Sequence, residues 1–276
     1  MVDLSHSEWL NVKGIASYKW RAESPKGQVL LQHGLGGYST RYVDQYNGLI
    51  PKLLDLGFDV YAFDLPGHGN SDGKRALIDL HKGIELHLRA RELMRDTKLP
   101  TILYGHSLGG LITAGSVIQS GDDIAGAVIG SSALHLPSQG WERAVAGLMG
   151  TIAPNAPIPL PRPGPEALSR DPKVVAKAAL DPMFYQGKAK NLVAKTVLEV
   201  SDEVWSKAAG WQVPTLIMHG DKDTSTDHRA SIKLFESIGA RDKELAVYPG
   251  AFHELLNDLV KEEATEKLVG WMQSKV

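Results

Sequence analysis

The stretch TILYGHSLGGLITA, residues 101–114, decides how the rest of the chain is read. Thr101 to Tyr104 form a short apolar run, and Leu108 to Ala114 can open a helix, with Gly105-His106-Ser107-Leu108-Gly109 between them. A Gly-x-Ser-x-Gly pentapeptide alone is weak, since chance gives roughly 0.2 matches in a chain with this much glycine and serine. Set between a strand and a helix, it describes a nucleophile elbow. In such a turn the flanking glycines relieve backbone crowding and the serine hydroxyl stands above the sheet edge. The turn also puts Ser107 at a helix N-terminus, where N–H groups stabilise a developing anion. The plainer alternative is a tight turn with an incidental serine.

Working outward, short apolar runs recur at 29–32, 59–63, 126–130, 215–219 and 245–248, several of them apolar almost throughout. Strands buried on both faces read this way. Between the runs lie helical spacings. Tyr46, Leu49, Ile50, Leu53 and Leu54 share one face, Leu80, Ile84 and Leu88 another, and Leu255 to Trp271 suggest a closing helix. Strand and helix alternating in this way predict an α/β fold, a mostly parallel central sheet flanked by helices. Residues 8–12 and 16–20, around a Gly14 turn, read as a hairpin on the sheet edge.

The rhythm breaks between 134 and 210, where no buried strand is evident. Helical spacing at Trp141, Val145, Leu148 and Met149 leads into TIAPNAPIPLPRPGP, with six prolines between Pro154 and Pro165. Prolines this dense forbid helix and central strand alike. Residues 1–133 and 211–276 are expected to form the core, with 134–210 inserted as a helical cap, or lid, over the functional edge. A merely decorative surface insertion is the alternative.

A serine hydroxyl needs a base, and the base needs an orienting acid. On an elbow of this kind they follow in the order acid, then histidine. The run 215–219 leads into Gly220-Asp221-Lys222-Asp223, and 245–248 into Pro249-Gly250-Ala251-Phe252-His253. His253 is the expected base. Asp221, Asp223 and Asp227 compete as the acid; Asp221 suits a loop-capping role, and Asp223 is preferred. His106 and His219 are expected to be buried and hydrogen-bonded, and His6, His81 and His87 solvated. The glycine-rich loop HGLGG at 33–37 follows the first buried run, so the N–H groups of Leu35 and Leu108 are the expected oxyanion donors. No phosphate-binding Gly-x-x-x-x-Gly-Lys or dinucleotide-binding motif is present, and no histidine pair has metal-ligand spacing. No cofactor and no metal are expected.

Composition narrows the function classes. The 276 residues contain no cysteine, which excludes disulfides, thiolate metal sites and a cysteine nucleophile. Lys and Arg number 30 against 32 Asp and Glu, giving a formal charge of -2, with no footprint for nucleic acid or a polybasic anchor. Residues 1–10 lack the apolar segment of a signal peptide, and no run of about 18 apolar residues occurs. A soluble cytoplasmic protein is expected.

Together these motifs resemble the α/β-hydrolase superfamily and, within it, the monoacylglycerol lipase and lysophospholipase group. HGLGGYSTRY at 33–42 is similar to that group's oxyanion loop, including Arg41 and Tyr42, and FDLPGHGNSDG at 63–73 to its second-strand loop. GHSLGG at 105–110, HGDKD at 219–223, YPGAFHELLND at 248–258 and SRDPKVVAKAALDP at 169–182 resemble its elbow, acid loop, histidine loop and cap segment. The family's acid position lands on Asp223. Leu108 stands where the family commonly has Met, and Gly37 where an acidic residue is frequent.

The resemblance implies a serine ester hydrolase using Ser107, Asp223 and His253, with Leu35 and Leu108 as oxyanion donors. The implied reaction takes monoacylglycerol to fatty acid and glycerol through an acyl-enzyme. A lysophospholipase, a small-ester carboxylesterase or a peptidase-like hydrolase are the alternatives within the class. A hydrolase-fold ligand-binding receptor is the alternative outside it. Gly34, Gly36, Trp141, Leu148, Met149, Ile152 and Ile158 are the expected substrate contacts. Leu134, Leu136 and Leu160 add to the apolar content of the early cap. That content suits an acyl tunnel or a transient dock on a lipid surface, and packing of the cap on its own core explains it equally. The expected partner is a lipid ester and no nucleic acid; no oligomeric state is assigned.

Overall fold

The computed structural model describes residues 8–137, 139–160 and 163–276, so the reading of His6 and part of the proline run lie outside the described residues. Among the described residues seven strands form one sheet: β1 (Ser17–Trp20), β2 (Gly27–Gln32), β3 (Phe58–Phe63), β4 (Thr101–His106), β5 (Gly126–Gly130), β6 (Thr215–Gly220) and β7 (Lys243–Tyr248). Their order is β1-β3-β2-β4-β5-β6-β7. All neighbours are parallel except β1, which runs antiparallel to β3. The sheet is the mostly parallel one that the apolar runs predicted.

Nine helices accompany it in the described residues: α1 (Arg41–Asp44), α2 (Leu49–Asp55), α3 (Leu80–Met94), α4 (Leu108–Gln119), α5 (Gly140–Ile152), α6 (Pro172–Leu180), α7 (Asn191–Lys207), α8 (His228–Ser237) and α9 (Lys261–Gln273). None is long and apolar enough to cross a membrane. Side chains alternate along the strands, so the sheet has two apolar faces. Leu30 and Leu103 join α3, α4 and α8 on one side, while Val29, Leu31 and Ile102 join α2 and α9 on the other. Side-chain caps start several helices: Asp79, Asp171 and Asp227 accept from the N–H groups of His81, Lys173 and Arg229.

Three sequence expectations need correction. Residues 8–12 are not a strand. Asn11 sits at φ 50°, which breaks an extended run, and Leu10 is buried against the sheet face while Trp9 packs edge-on against Tyr61. The edge belongs to β1, paired with β3 instead of with 8–12. The helix expected from Tyr46 starts only at Leu49, because Tyr46, Asn47 and Gly48 all have left-handed φ. His87 is buried, not solvated. The inner face of α3 runs through Gly83, Ile84, His87, Ala90 and Arg91, rotated from the Leu80–Ile84–Leu88 stripe, and His87 Nδ1 meets Ser116 Oγ of α4 at 2.9 Å. His81 stands partly exposed between Asp79 and Glu203.

Between β5 and β6 the chain carries α5, α6 and α7 and, among the described residues, no strand of the sheet. These three helices differ in their surroundings. α7 buries Val193, Val200 and Val204 in the same cluster as α3 and α4, and Thr196 Oγ1 accepts from Leu80 N at 3.2 Å. α5 has only Gly150 buried, with Trp141 68% and Ile152 65% exposed.

Candidate active site

Ser107 sits between β4 and α4 at φ 57° and ψ −121°, a conformation that costs a non-glycine residue on the order of 1–3 kcal/mol. Two glycines make the turn sterically feasible. A Cβ on Gly105 would lie 2.3 Å from Gly109 O, and one on Gly109 would lie 2.2 Å from Gln32 O. The backbone is pinned from β5 and beyond: Ser107 N donates to Gly130 O at 2.9 Å, and Ala133 N donates to Ser107 O at 2.9 Å.

His253 follows β7, and its Nε2 lies 2.9 Å from Ser107 Oγ. Its Nδ1 lies 2.7 Å from Asp223 Oδ2, in the loop after β6. A carboxylate only accepts, so Nδ1 carries the proton and Nε2 faces the serine with its lone pair. Burial would push the Asp223 carboxyl up. The neighbouring His253 and His219 outweigh that and hold it well below the usual carboxylate range. The other two acids have separate duties: Asp221 Oδ1 accepts from Gly250 N at 2.6 Å, and Asp227 caps α8.

The loop 33–37 closes on the serine from the β2 side. A Cβ on Gly34 would lie 2.8 Å from Ser107 Cβ, so only glycine allows this approach. His33 holds the loop, its Nδ1–H donating to Gly34 O at 2.9 Å and its Nε2 accepting from Leu65 N at 3.0 Å. Burial pulls His33 down to about 4, so it stays the neutral tautomer these two bonds require. Leu35 and Leu108 both line the space above Ser107, and Leu108 is the first residue of α4, whose leading N–H groups have no partner within the helix.

That space is a cavity of about 910 Å³. Its walls include Val145, Met149, Ile158, Leu160, Phe184 and Val197. Of the expected substrate contacts, Gly34, Trp141, Met149 and Ile158 line it, and Gly36, Leu148 and Ile152 do not. Gly36, at φ 84°, instead receives the inserted segment, since Tyr185 N donates to Gly36 O at 2.9 Å. Leu148 is 60% exposed. Leu134 belongs to the core cluster.

Several neighbours carried no sequence signal of their own. Glu254, next to His253, is buried with Arg41 at 3.1 Å. Tyr46 OH donates to it at 2.6 Å and Asn257 Nδ2 at 2.6 Å. Burial alone would raise its pKa, yet Arg41, His106 and these hydrogen bonds bring it down to about 2. The Arg41 guanidinium also lies 4.5 Å from the Phe184 ring, under the inserted segment. Arg41 had been singled out only by its Arg-Tyr pairing with Tyr42. As expected, His106 is buried, its Nε2 donating to His253 O at 3.2 Å. Among the described residues no group of three or more His, Asp and Glu side chains could hold a metal ion.

A family model, Hydrolase_4, described as serine aminopeptidase S33, matches residues 23–260. A monoacylglycerol lipase of Mycolicibacterium smegmatis is 31% identical over 258 residues, covering 91% of this chain and 89% of that protein. A caffeoylshikimate esterase of Arabidopsis thaliana is 28% identical over 267 residues, covering 91% of this chain and 79% of its own. In three dimensions the crystal structure of Paleococcus ferrophilus monoacylglycerol lipase matches with a TM-score of 0.82 at 31% identity, covering 94% of this chain and 99% of that one.

Proposed function

The chain belongs to the Hydrolase_4 family, serine aminopeptidase S33, and from that premise we propose that it hydrolyses lipid esters, monoacylglycerol first among them. His253 takes the Ser107 proton as Oγ attacks the ester carbonyl. The N–H groups of Leu35 and Leu108 receive the oxyanion, and Asp223 stabilises the imidazolium. His253 then protonates the leaving alcohol, and a water that it activates releases the fatty acid. The insertion 134–210 acts as the cap that shields this chemistry.

The observation that carries this reading is the charge of the cavity wall. An aminopeptidase must hold an ammonium, and among the described lining residues the carboxylates are Glu142 and Glu254. Glu254 is already neutralised by Arg41, and Glu142 caps the start of α5 through Gln139 N at 2.8 Å. A large space with apolar walls and no free anion beside the serine favours an acyl chain. Trp141, Leu148 and Ile152, exposed on α5, form the face through which a cytoplasmic enzyme would touch a lipid surface.

The deciding experiment crosses acyl length with head group in one panel: monoacylglycerols, lysophospholipids, short p-nitrophenyl esters and peptide amides. We expect the highest kcat/KM for monoacylglycerol. A preference for an amide substrate overturns the reading.

A further inference from the structure

Asp223 does not serve His253 alone. The oxygen that meets His253 Nδ1 at 2.7 Å also lies 3.0 Å from Nε2 of a second imidazole, His219. Thr226 Oγ1 donates to the same Oδ2 at 2.7 Å. Oδ1 is held separately by the N–H groups of Ser225 and Thr226, at 2.7 and 3.0 Å.

His219 is fully buried near the end of β6, and its Nδ1 lies 2.7 Å from Ser231 Oγ on α8. The protons can be placed from the chemistry. An ionised Asp223 accepts only, so Nε2 of His219 carries a hydrogen. Burial outweighs the pull of Asp223 and keeps this ring neutral. Nδ1 is therefore bare, and the Ser231 hydroxyl donates to it. Two serine–histidine pairs thus converge on one carboxylate oxygen. Only one is reactive, because Ser231 is buried in the α8 packing while Ser107 opens onto the cavity.

We propose that His219 is a positioning residue that shares the Oδ2 of Asp223 with His253 and thereby sets the lower pH limit of catalysis. Each donor to a carboxylate spreads its charge and weakens its attraction for an imidazolium. Removing the His219 donor leaves more of that charge aimed at His253, which then takes up its proton at higher pH. Only neutral His253 can act as base, so the acid limb of activity moves upward. The other groups around the pair stay in place. The His106 ring lies 4.8 Å from that of His253, Glu254 is committed to Arg41, and the His228 ring is 6.4 Å from His219.

The inference rests on Ser107, His253 and Asp223 being the reacting set, which Asp223→Asn tests by itself. If that variant stays fully active, the set is wrong and His219 falls with it. The direct test is the pH profile of kcat/KM on p-nitrophenyl butyrate for wild type, His219→Leu, His219→Gln and Thr226→Val, with melting temperatures for each. In His219→Leu we expect the acid limb to rise by about half a pH unit or more, with kcat at low pH falling roughly threefold or more and KM within about twofold. His219→Gln, whose amide N–H reaches toward the same oxygen, restores the wild-type limb. Thr226→Val removes another donor to Oδ2 without a large volume change and moves the limb the same way, which covers the case where His219→Leu does not fold. A lowered melting temperature with the wild-type limb in both His219→Leu and Thr226→Val would reduce His219 to packing and overturn the proposal.

Discussion

Gly34 and Ser107 are in direct contact: a Cβ on Gly34 would lie 2.8 Å from the serine Cβ and 3.3 Å from its Oγ. The loop 33–37 and Ser107 are therefore set against each other with no room for a methyl group. Gly34→Ala must push the loop, and with it Leu35 N–H, away from the place where charge develops. We expect kcat to fall roughly 10²–10³-fold, the loss typical of one oxyanion donor. Stopped-flow acylation measures it, and a rate within about threefold of wild type would remove Leu35 from the oxyanion role.

The three acids after β6 differ in what they touch, so their variants should separate cleanly. Asp223→Asn leaves the geometry but lets His253 adopt the wrong tautomer, and turnover should drop about 10⁴-fold. Asp221→Asn keeps an acceptor for Gly250 N–H and Asp227→Asn keeps a helix cap, each losing only a charge remote from His253 Nδ1, so both should stay within about tenfold. Steady-state kinetics on one soluble ester compares all three.

The pairing of Arg41 with Glu254 joins α1 to the histidine loop with both side chains at most 2% exposed. Arg41→Met alone strands a buried carboxylate and should cost about 3–5 kcal/mol of stability, as should Glu254→Gln. The double variant leaves no stranded charge, so its cost should be smaller than the sum of the two. Urea unfolding of the four proteins checks this, and strict additivity would show that the two groups do not stabilise each other.

What could be read in the sequence followed from local chemistry. The elbow 105–109 needs glycine where the chain crowds itself, and the buried strands need continuous apolar runs, so both stand out in one dimension. The acid was open between three aspartates because spacing cannot say which carboxylate points back at His253. Glu254 lay beyond reach because it matters through Arg41, 213 residues away; His219 was read as buried and hydrogen-bonded, but neither its partner nor that of Thr226, the same Asp223 oxygen, could be named from spacing. His87 was misread because a rotation of the α3 face by one position exchanges a solvated residue for a buried one. Trp9, Leu10 and Val12 are apolar, but Leu10 is buried by lying on the sheet face, which alternation cannot distinguish from strand pairing.

Four buried histidines make a prediction about acid. Burial pulls His33 down to about 4 and His68, His87 and His106 to about 3. Below their unfolded value near 6.5 the unfolded chain binds protons that the folded chain refuses. Stability is therefore intact above pH 6.5 and is lost as pH falls toward 4, by about 1.4 kcal/mol per pH unit for each group. Glu254, at about 2, adds a loss in the same direction only below its ordinary value. Urea midpoints at several pH values from 7.5 to 5 should decline steeply. His87→Gln, remote from Ser107, should flatten the decline by about one group's share, and an unchanged slope would mean that His87 is protonated in the fold.

The exposed Leu148 and Ile152 of α5 separate two readings, an enzyme that extracts lipid from a surface and one that takes only dispersed ester. Leu148 and Ile152 are 60% and 65% exposed and do not line the cavity, so packing within 134–210 does not account for them. Burying two such side chains in a bilayer interface would contribute about 1.5–3 kcal/mol each. We expect Ser107→Ala protein to float with phosphatidylcholine vesicles. Adding Leu148→Ser and Ile152→Ser should lower the partition coefficient by about tenfold or more. In the Ser107 protein the same pair should leave turnover of a short soluble ester unchanged while lowering that of vesicle-borne monoacylglycerol. If flotation is absent at millimolar lipid (on the order of 1 mM), α5 is not a lipid contact, and the exposed face has no part in substrate capture.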